Sequence, residues 1–159
     1  MSSKPVKKII LDSTYLLPLI GIDVGIPEDD LKALFISDHE ILINEVSIFE
    51  IMGKGLREVI RKKLPYNRLL KGLASLKEDE RIQTISLKDT LAFSNLIGLI
   101  FQSGLQDIPD CMILSTAMNC DIFITEAKDI PKTSSLFKEF QHVEIINWTL
   151  FKRRFLSNP

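Results

Sequence analysis

Short apolar segments alternate with longer segments of helical period along this chain. Five apolar runs have the near-continuous hydrophobicity of strands that are buried on both faces of a sheet. They are VKKIILD (6–12), HEILINE (39–45), RIQTISL (81–87), DIFIT (121–125) and HVEIIN (142–147). Strands that alternate with helices through short connections are typical of an α/β domain whose sheet is largely parallel.

Seven other segments have the apolar spacing of helices. They span residues 27–36, 46–63, 65–77, 88–102, 111–119, 134–140 and 148–156. Helices on both faces of the sheet predict a three-layer α/β/α domain with a central, mostly parallel sheet of about five strands. Because the chain has 159 residues, 45% of them hydrophobic, we expect one domain over residues 1–159 with a single core.

The composition of the chain predicts where the protein is located, but it does not identify a binding partner. No apolar run approaches the roughly 20 residues that a membrane-spanning helix needs, so no membrane association is expected. Cys111 and Cys120 lack the spacing of a zinc site, which predicts buried free thiols in a reducing, cytoplasmic setting. The formal net charge of −1 is typical neither of a strongly basic nucleic-acid binder nor of a chain with an acidic tail.

Acidic residues recur where the predicted strands end. They are Asp12 after the first strand, Glu45 and Glu50 after the second, Asp107 and Asp110 before the helix at 111–119, and Glu126 and Asp129 after DIFIT. In open α/β sheets, ligands bind beyond the carboxyl ends of the strands. Carboxylates delivered there from separate segments suit a divalent cation that prefers oxygen ligands, and such a cation can activate water against a phosphate.

Each of these acids also has an ordinary structural explanation. Asp107 is typical of a helix N-cap, and Asp110 of a first-turn partner of the helix dipole. Asp12 is suited to capping the turn that follows it, and Glu45 is expected to be a solvated residue at a strand end. Glu50 is harder to explain, because apolar residues flank it and a partly buried carboxylate is costly unless it is paired or binds a metal.

Three segments, IILDSTYLL, INEVSIFEIMGKG and IPDCMILSTAMNCDIFIT, share their order and spacing with a known family. From KKIILDSTYLL to HVEIIN the chain resembles the PIN-domain family and, within it, the VapC-like ribonuclease toxins. The resemblance aligns the family's three metal-binding acids with Asp12, Glu50 and Asp110. Ser47 takes the place of a Ser or Thr before the second acid, and Glu45 has no counterpart.

The fourth family segment is different in this chain. Family members commonly have Thr-x-Asp after the strand that corresponds to DIFIT, whereas ITEAKDI has Thr125, Glu126 and then Ala127. The resemblance therefore implies three acids that hold one Mg²⁺ or Mn²⁺ and leaves a second ion open. Asp107, Glu126 and Asp129 are candidate supporting acids.

The resemblance implies a metal-dependent endoribonuclease in which a metal-activated water attacks RNA phosphodiesters. Asp12, Glu50 and Asp110 would hold the metal, and Ser13 and Thr125 would hydrogen-bond the site. The family pattern further implies the toxin of a VapBC-type toxin–antitoxin pair, with a small antitoxin protein as partner and a homodimeric assembly.

An RNA substrate requires positive charge near the acids. Candidates are Lys54, Arg57, Arg61, Lys62 and Lys63 beside Glu50, and Lys152, Arg153 and Arg154 in the tail. Both clusters are equally typical of solvated helix faces.

Two other functions fit part of the pattern. A catalytically degenerate PIN domain that binds RNA or protein would account for Ala127. A phosphatase with a nucleophilic Asp after the first strand usually has Asp-x-Asp, but this chain has Asp12-Ser13-Thr14. A nucleotide-binding module is disfavoured, because neither Gly-x-Gly-x-x-Gly nor Gly-x-x-x-x-Gly-Lys-Ser/Thr occurs.

Overall fold

The computed structural model describes residues 5–156, in which five strands form one parallel sheet. The strands are β1 (Lys8–Leu11), β2 (Glu40–Asn44), β3 (Ile82–Ile85), β4 (Ile122–Ile124) and β5 (Glu144–Ile146). Their order across the sheet is β3-β2-β1-β4-β5, and every neighbouring pair is parallel. Each strand lies inside one of the five apolar runs, so the predicted strands are confirmed.

Helices connect the strands and cover both faces of the sheet. They are a 3₁₀ helix (Ser13–Ile20), α1 (Glu28–Phe35), α2 (Glu45–Ile60), α3 (Tyr66–Glu78), α4 (Leu87–Leu91), α5 (Ser94–Gln102), α6 (Ile108–Ala117), α7 (Asp129–Ser134), a second 3₁₀ helix (Lys138–Phe140), α8 (Trp148–Phe151) and a π-helical turn (Lys152–Leu156). Within residues 5–156, no helix combines the length and the apolar character needed to cross a membrane.

The sheet separates the interior into two cores. Alternate strand residues face opposite sides, so Ile9 and Leu11 enter one core while Ile10 enters the other. The first core packs the Ser13–Ile20 helix, α1, α2, α3 and α8 against the sheet, and the second packs α5, α6 and α7. The three-layer α/β/α prediction is confirmed, but the single expected core is divided by the sheet.

The helix predicted at 88–102 is wrong as one continuous element. The chain instead forms α4 and α5, with a bend at Ala92 and Phe93 between them. Short contacts fix α4 independently of α5: Ser86 caps its first turn, and Thr90 receives a hydrogen bond from Asn44. Since the contact with Asn44 comes from a distant part of the chain, apolar spacing alone did not indicate the bend.

The short helix predicted at 134–140 is also misplaced. Helix α7 begins earlier, at Asp129, and ends at Ser134, and only a 3₁₀ turn follows at Lys138–Phe140. Pro131 is tolerated in the first turn of α7, where its missing N–H has no helical acceptor. The hydroxyl of Ser134 then donates to the carbonyl of Pro131.

Cys111 and Cys120 are buried free thiols, as predicted. Burial raises the pKa of each thiol to about 11, and the nearby carboxylates of Asp110 and Asp107 add to the effect at Cys111. Neither thiol is therefore activated for chemistry at neutral pH.

Candidate functional site

Asp12 is the anchor of the candidate site. Strands β1 and β4 pair with Leu11 opposite Ile124, so the next residues of both strands, Asp12 and Thr125, leave the sheet side by side. Thr125 Oγ1 donates to Asp12 Oδ2 at 2.7 Å, and the Ser13 backbone N–H donates to Asp12 Oδ1 at 2.6 Å. Asp12 thus caps the following 3₁₀ helix, as its ordinary explanation requires, and is also held rigidly at the carboxyl edge of the sheet.

Glu50 reaches the same edge from the second turn of α2. Helix α2 follows β2 without a loop, so this side chain stays close to the strand ends. Ser13 Oγ lies 3.5 Å from Glu50 Oε2 and 3.4 Å from Asp12 Oδ1, both longer than an ordinary hydroxyl hydrogen bond. Glu50 Oε1 is buried and has no hydrogen-bond partner within the described part of the chain.

Asp110 is the third acid, delivered by the first turn of α6. Asp107 caps this helix, because its carboxylate accepts the Asp110 backbone N–H at 3.0 Å. Burial, reinforced by the negative charges of Asp12, Asp107 and Glu50, raises the pKa of Asp110 to about 7. The carboxylates of the three separate segments therefore lie close enough for their charges to interact.

Burial raises the pKa of the other two acids as well, and neighbouring negative charges add to this effect at Glu50. Burial is the main cause that raises the pKa of Asp12, while its hydrogen bonds and Lys54 oppose the rise. Burial also raises the pKa of Glu50, opposed by Lys54 and reinforced by Asp12 and Asp107. The cluster is thus rich in negative charge that the protein only partly compensates.

The donor set suits a divalent cation in its chemistry. Carboxylate oxygens are the ligands that Mg²⁺ and Mn²⁺ prefer, and the buried, unpartnered Oε1 of Glu50 lacks the partner that a cation would supply. Among residues 5–156, no three His, Cys, Asp or Glu side chains already stand at coordinating distance from one point. Side-chain rotation would have to accompany binding of an ion.

Asn44, for which the sequence pattern predicted no role, positions two of the acids. This fully buried side chain accepts the Val46 N–H at 2.9 Å and so caps α2. Its amide donates to Thr90 Oγ1 of α4 at 2.9 Å and to Thr116 Oγ1 of α6 at 3.3 Å. One amide thus connects the helix of Glu50 with the helix of Asp110. An Asn directly before a predicted helix is the only sequence signal for it.

The supporting acids after β4 have other contacts. Glu126 Oε1 accepts hydrogen bonds from the Tyr15 hydroxyl at 2.7 Å and from the Trp148 backbone N–H at 2.9 Å, which ties the first 3₁₀ helix to the start of α8. Asp129 lies in the first turn of α7. Within the described range, no hydrogen bond joins Glu126 or Asp129 to Asp12, Glu50 or Asp110.

Glu45 is not the solvated strand-end residue that was expected. It is the first residue of α2 and is half-buried. Its Oε2 accepts the Leu87 N–H at 2.6 Å, which satisfies a free donor at the start of α4. This tertiary contact gives Glu45 a structural task that is separate from the acid cluster.

The basic residues of α2 line a shallow cavity beside the cluster. Lys54 is half-buried, whereas Arg57 and Arg61 are exposed. The cavity has a volume of about 280 Å³ and is lined by Leu17, Ile22, Lys54, Arg57, Glu58 and Arg61. Arg61 pairs with Glu58 at 2.9 Å, so part of this positive charge is already balanced.

The basic tail is also engaged within the fold. Lys152 pairs with Asp30 at 2.6 Å, and Arg154 forms an ion pair with Glu144. These pairs hold the last turn against α1 and β5. The tail therefore offers less uncompensated charge than its sequence indicated.

A second, larger cavity has none of Asp12, Glu50 or Asp110 in its lining. It has a volume of about 570 Å³ and is lined by α1, α3 and the start of β3. The cations around it already have partners: Lys32 pairs with Glu28 at 3.3 Å, Arg81 with Asp79 at 2.6 Å, and Arg68 donates to the Leu19 carbonyl at 2.9 Å. We assign the candidate site to the carboxyl edge of the sheet, because the carboxylates of Asp12, Glu50 and Asp110 lie there.

The raised pKa of Asp110 predicts how stability depends on pH. A carboxyl whose pKa rises from 3.8 to about 7 on folding stabilises the folded state fully below pH 3.8, and the contribution is lost as pH rises through about 7. Asp110→Asn should therefore raise the midpoint of thermal unfolding at pH 8. This rise should exceed the effect of the same substitution at pH 5 by about 3 °C. Thermal unfolding in EDTA at both values measures this difference.

Asp29→Asn is the matched control, because Asp29 is an exposed first-turn acid of another helix. Its effect should be the same at both pH values. If Asp110→Asn shifted the unfolding midpoint equally at pH 5 and pH 8, the raised pKa would be contradicted.

In comparisons with known proteins, no family model matches the chain and no curated protein matches its sequence. The assignment to the PIN-domain family therefore stays a prediction from the three segments. The parallel sheet and the proximity of Asp12, Glu50 and Asp110 at its carboxyl edge are properties of the structure itself.

Proposed function

We propose that this protein is a Mg²⁺- or Mn²⁺-dependent endoribonuclease of the PIN type. The observation that carries the proposal is the convergence of Asp12, Glu50 and Asp110, from three separate segments, at the carboxyl edge of a parallel sheet. The unpartnered Oε1 of Glu50 supports a cation as the missing partner. The chemistry that a bound cation supplies is activation of water and stabilisation of charge on a phosphate.

The residues of the chain divide the remaining work. Asp12 is oriented by Thr125 and the Ser13 N–H, so its carboxylate is fixed before any ligand arrives. Glu50 and Asp110 provide the other two carboxylates. Lys54, Arg57 and Arg61 place positive charge along α2, where RNA phosphates would lie.

Single-stranded RNA incubated with the protein and Mn²⁺ or Mg²⁺ tests this function. We expect the wild type to cut, and Asp12→Asn to cut at least about 10²-fold more slowly, because the substitution removes a fixed charge from the site. Asp29→Asn, a change of the same type on α1, should cut like the wild type. Product formation is followed on denaturing gels.

A wild type that cuts no faster than Asp12→Asn would contradict the nuclease. One observation then favours a catalytically degenerate domain that binds RNA or protein. Ala127, which the resemblance aligns with the family's fourth acid, has no carboxylate. Its N–H donates to Thr125 Oγ1 at 3.1 Å, and Thr125 in turn donates to Asp12.

A toxin of the VapBC type also requires an antitoxin and, by the family pattern, a second copy of the chain. An exposed apolar stripe along α2 supports such partners. It consists of Phe49, Met52, Leu56 and Ile60, whose exposed fractions are 54%, 38%, 40% and 80%. Exposed apolar residues that share one helix face are typical of a protein–protein interface.

Leu56→Glu combined with Ile60→Glu is expected to convert a dimer into a monomer, because both charges would be buried without partners at the interface. Sedimentation equilibrium measures the change. Leu136→Glu alters an equally exposed apolar residue (67%) outside α2 and should leave the assembly unchanged. A double variant that sedimented like the wild type would remove the stripe as the interface.

A further inference from the structure

Lys54 stands out among the charged residues around the acids. It follows Glu50 by four positions on α2, so the two side chains project from the same face of the helix. It is half-buried, and Leu17 of the first 3₁₀ helix lines the same cavity. Lys54 is therefore placed between the acid cluster and the open cavity along α2.

The ammonium group of Lys54 acts on all three predicted metal-binding acids. Its charge lowers the pKa of Asp12, Glu50 and Asp110, in each case against the larger effect of burial. No other cation is among the main charges on these three carboxylates in the described chain. One ammonium thus faces several carboxylates.

Lys54 is nevertheless not tied to any of the acids. Within residues 5–156 it forms no ion pair within 4.0 Å, whereas Arg61 on the same helix pairs with Glu58. A surface lysine held in an ion pair would have to leave its partner before it could bind a substrate. Lys54 keeps its donors available on the side of the cavity, where Arg57 also lies.

We infer that Lys54 is a built-in cation of this site, an inference that rests on the proposed function. Its ammonium group balances part of the charge of the acids from the α2 side, as a second metal ion would, and donates to a phosphate of the bound RNA strand. The site then operates with a single divalent ion. This role of Lys54 is distinct from that of Arg57 and Arg61, whose charges are not among the main ones that act on the three acids.

Two binding measurements without any cutting test this role. Lys54→Met keeps the length of the side chain and removes its charge. Because a cation near the site repels Mn²⁺, the variant should bind Mn²⁺ roughly three- to tenfold more tightly in calorimetric titration. It should bind single-stranded RNA in EDTA roughly three- to tenfold more weakly at low salt, because a phosphate contact is lost.

Lys54→Arg keeps the charge and should restore both affinities to within about threefold of the wild type. Lys71→Met removes an exposed lysine of α3 and should change neither affinity. Opposite changes in metal and RNA affinity are not expected from a merely structural lysine, whose loss would weaken both or neither.

Lys54→Met that binds Mn²⁺ no more tightly than the wild type, or RNA no more weakly, overturns the inference. The inference is also overturned if neither the wild type nor Lys54→Met binds Mn²⁺. The nuclease proposal is tested separately, by whether the wild type cuts RNA. If the wild type does not cut RNA but the two opposite changes appear, Lys54 has the inferred role in a binding protein. If the wild type cuts and the changes are absent, the nuclease stands without this role for Lys54.

Discussion

Glu50→Gln is expected to lower the rate of RNA cutting by about 10²–10³-fold in saturating Mn²⁺. The substitution keeps the size of the side chain but removes its charge. Glu50 Oε1 is buried and has no partner among the described residues, so its value to the protein lies in what it can bind. Single-turnover cutting of a defined RNA measures the effect.

Glu45→Gln is the matched control, five residues earlier on the same helix. Its amide oxygen can still accept the Leu87 N–H, so we expect cutting within about twofold of the wild type. Equal losses in both variants would mean that α2 as a whole, and not the Glu50 carboxylate, determines the activity. A Glu50→Gln variant that cut normally would remove Glu50 from the site.

Glu50→Gln should also be more stable than the wild type when no metal is present. Burial raises the pKa of Glu50, so the ionised carboxylate destabilises the folded state at neutral pH. Higher stability together with lost activity is characteristic of a functional residue, because a residue retained for stability would show the opposite change.

Gly72→Ala is expected to lower the free energy of unfolding by about 2–3 kcal/mol. A Cβ atom at Gly72 would meet the backbone carbonyl of Leu19 and would lie 2.7 Å from the Cα of Ile20. Both contacts are with backbone, which cannot rotate away. Helix α3 would therefore have to move from the Ser13–Ile20 helix that begins at Asp12. Urea unfolding measures the loss.

Gly98→Ala provides the contrast within the same fold. A Cβ at Gly98 in α5 meets no atom within 4 Å, so alanine should stabilise the protein by about 0.5–1 kcal/mol through its higher helix propensity. A similar effect at both glycines would contradict the close packing of α3. If Gly72→Ala also slowed cutting, the position of the Asp12 segment would depend on this packing.

Apolar patterning was sufficient for the sheet and insufficient for the helices after β3. The runs around Ile9, Ile41 and Phe123 are continuous because both faces of a parallel strand are buried, and this signal is local. Helix α4, which ends at the bend, is held by Asn44 and Glu45, which lie more than 40 residues away from their partners Thr90 and Leu87. No short window of sequence contains such contacts.

The acids of the candidate site divide in the same way. Asp12, Glu50 and Asp110 were predicted because the resemblance to the PIN-domain family aligns its three metal-binding acids with them. Asp107 caps α6, as the sequence predicted, whereas the roles of Glu45 and Glu126 became visible only in their partners: Glu45 supports α4, and Glu126 accepts hydrogen bonds from Tyr15 and Trp148. The role of a carboxylate depends on its hydrogen-bond partners, and the sequence alone does not show which residues these are.

The sequence by itself determined the parallel α/β fold and the edge at which acids gather, because strand burial and strand order follow from local hydrophobicity and short connections. Only the tertiary structure decided which charges compensate one another. It paired the tail lysine and arginine with Asp30 and Glu144, and it left Lys54 unpaired within the described chain beside the three acids. Electrostatic energy depends on distance and burial in space, and separation along the chain specifies neither.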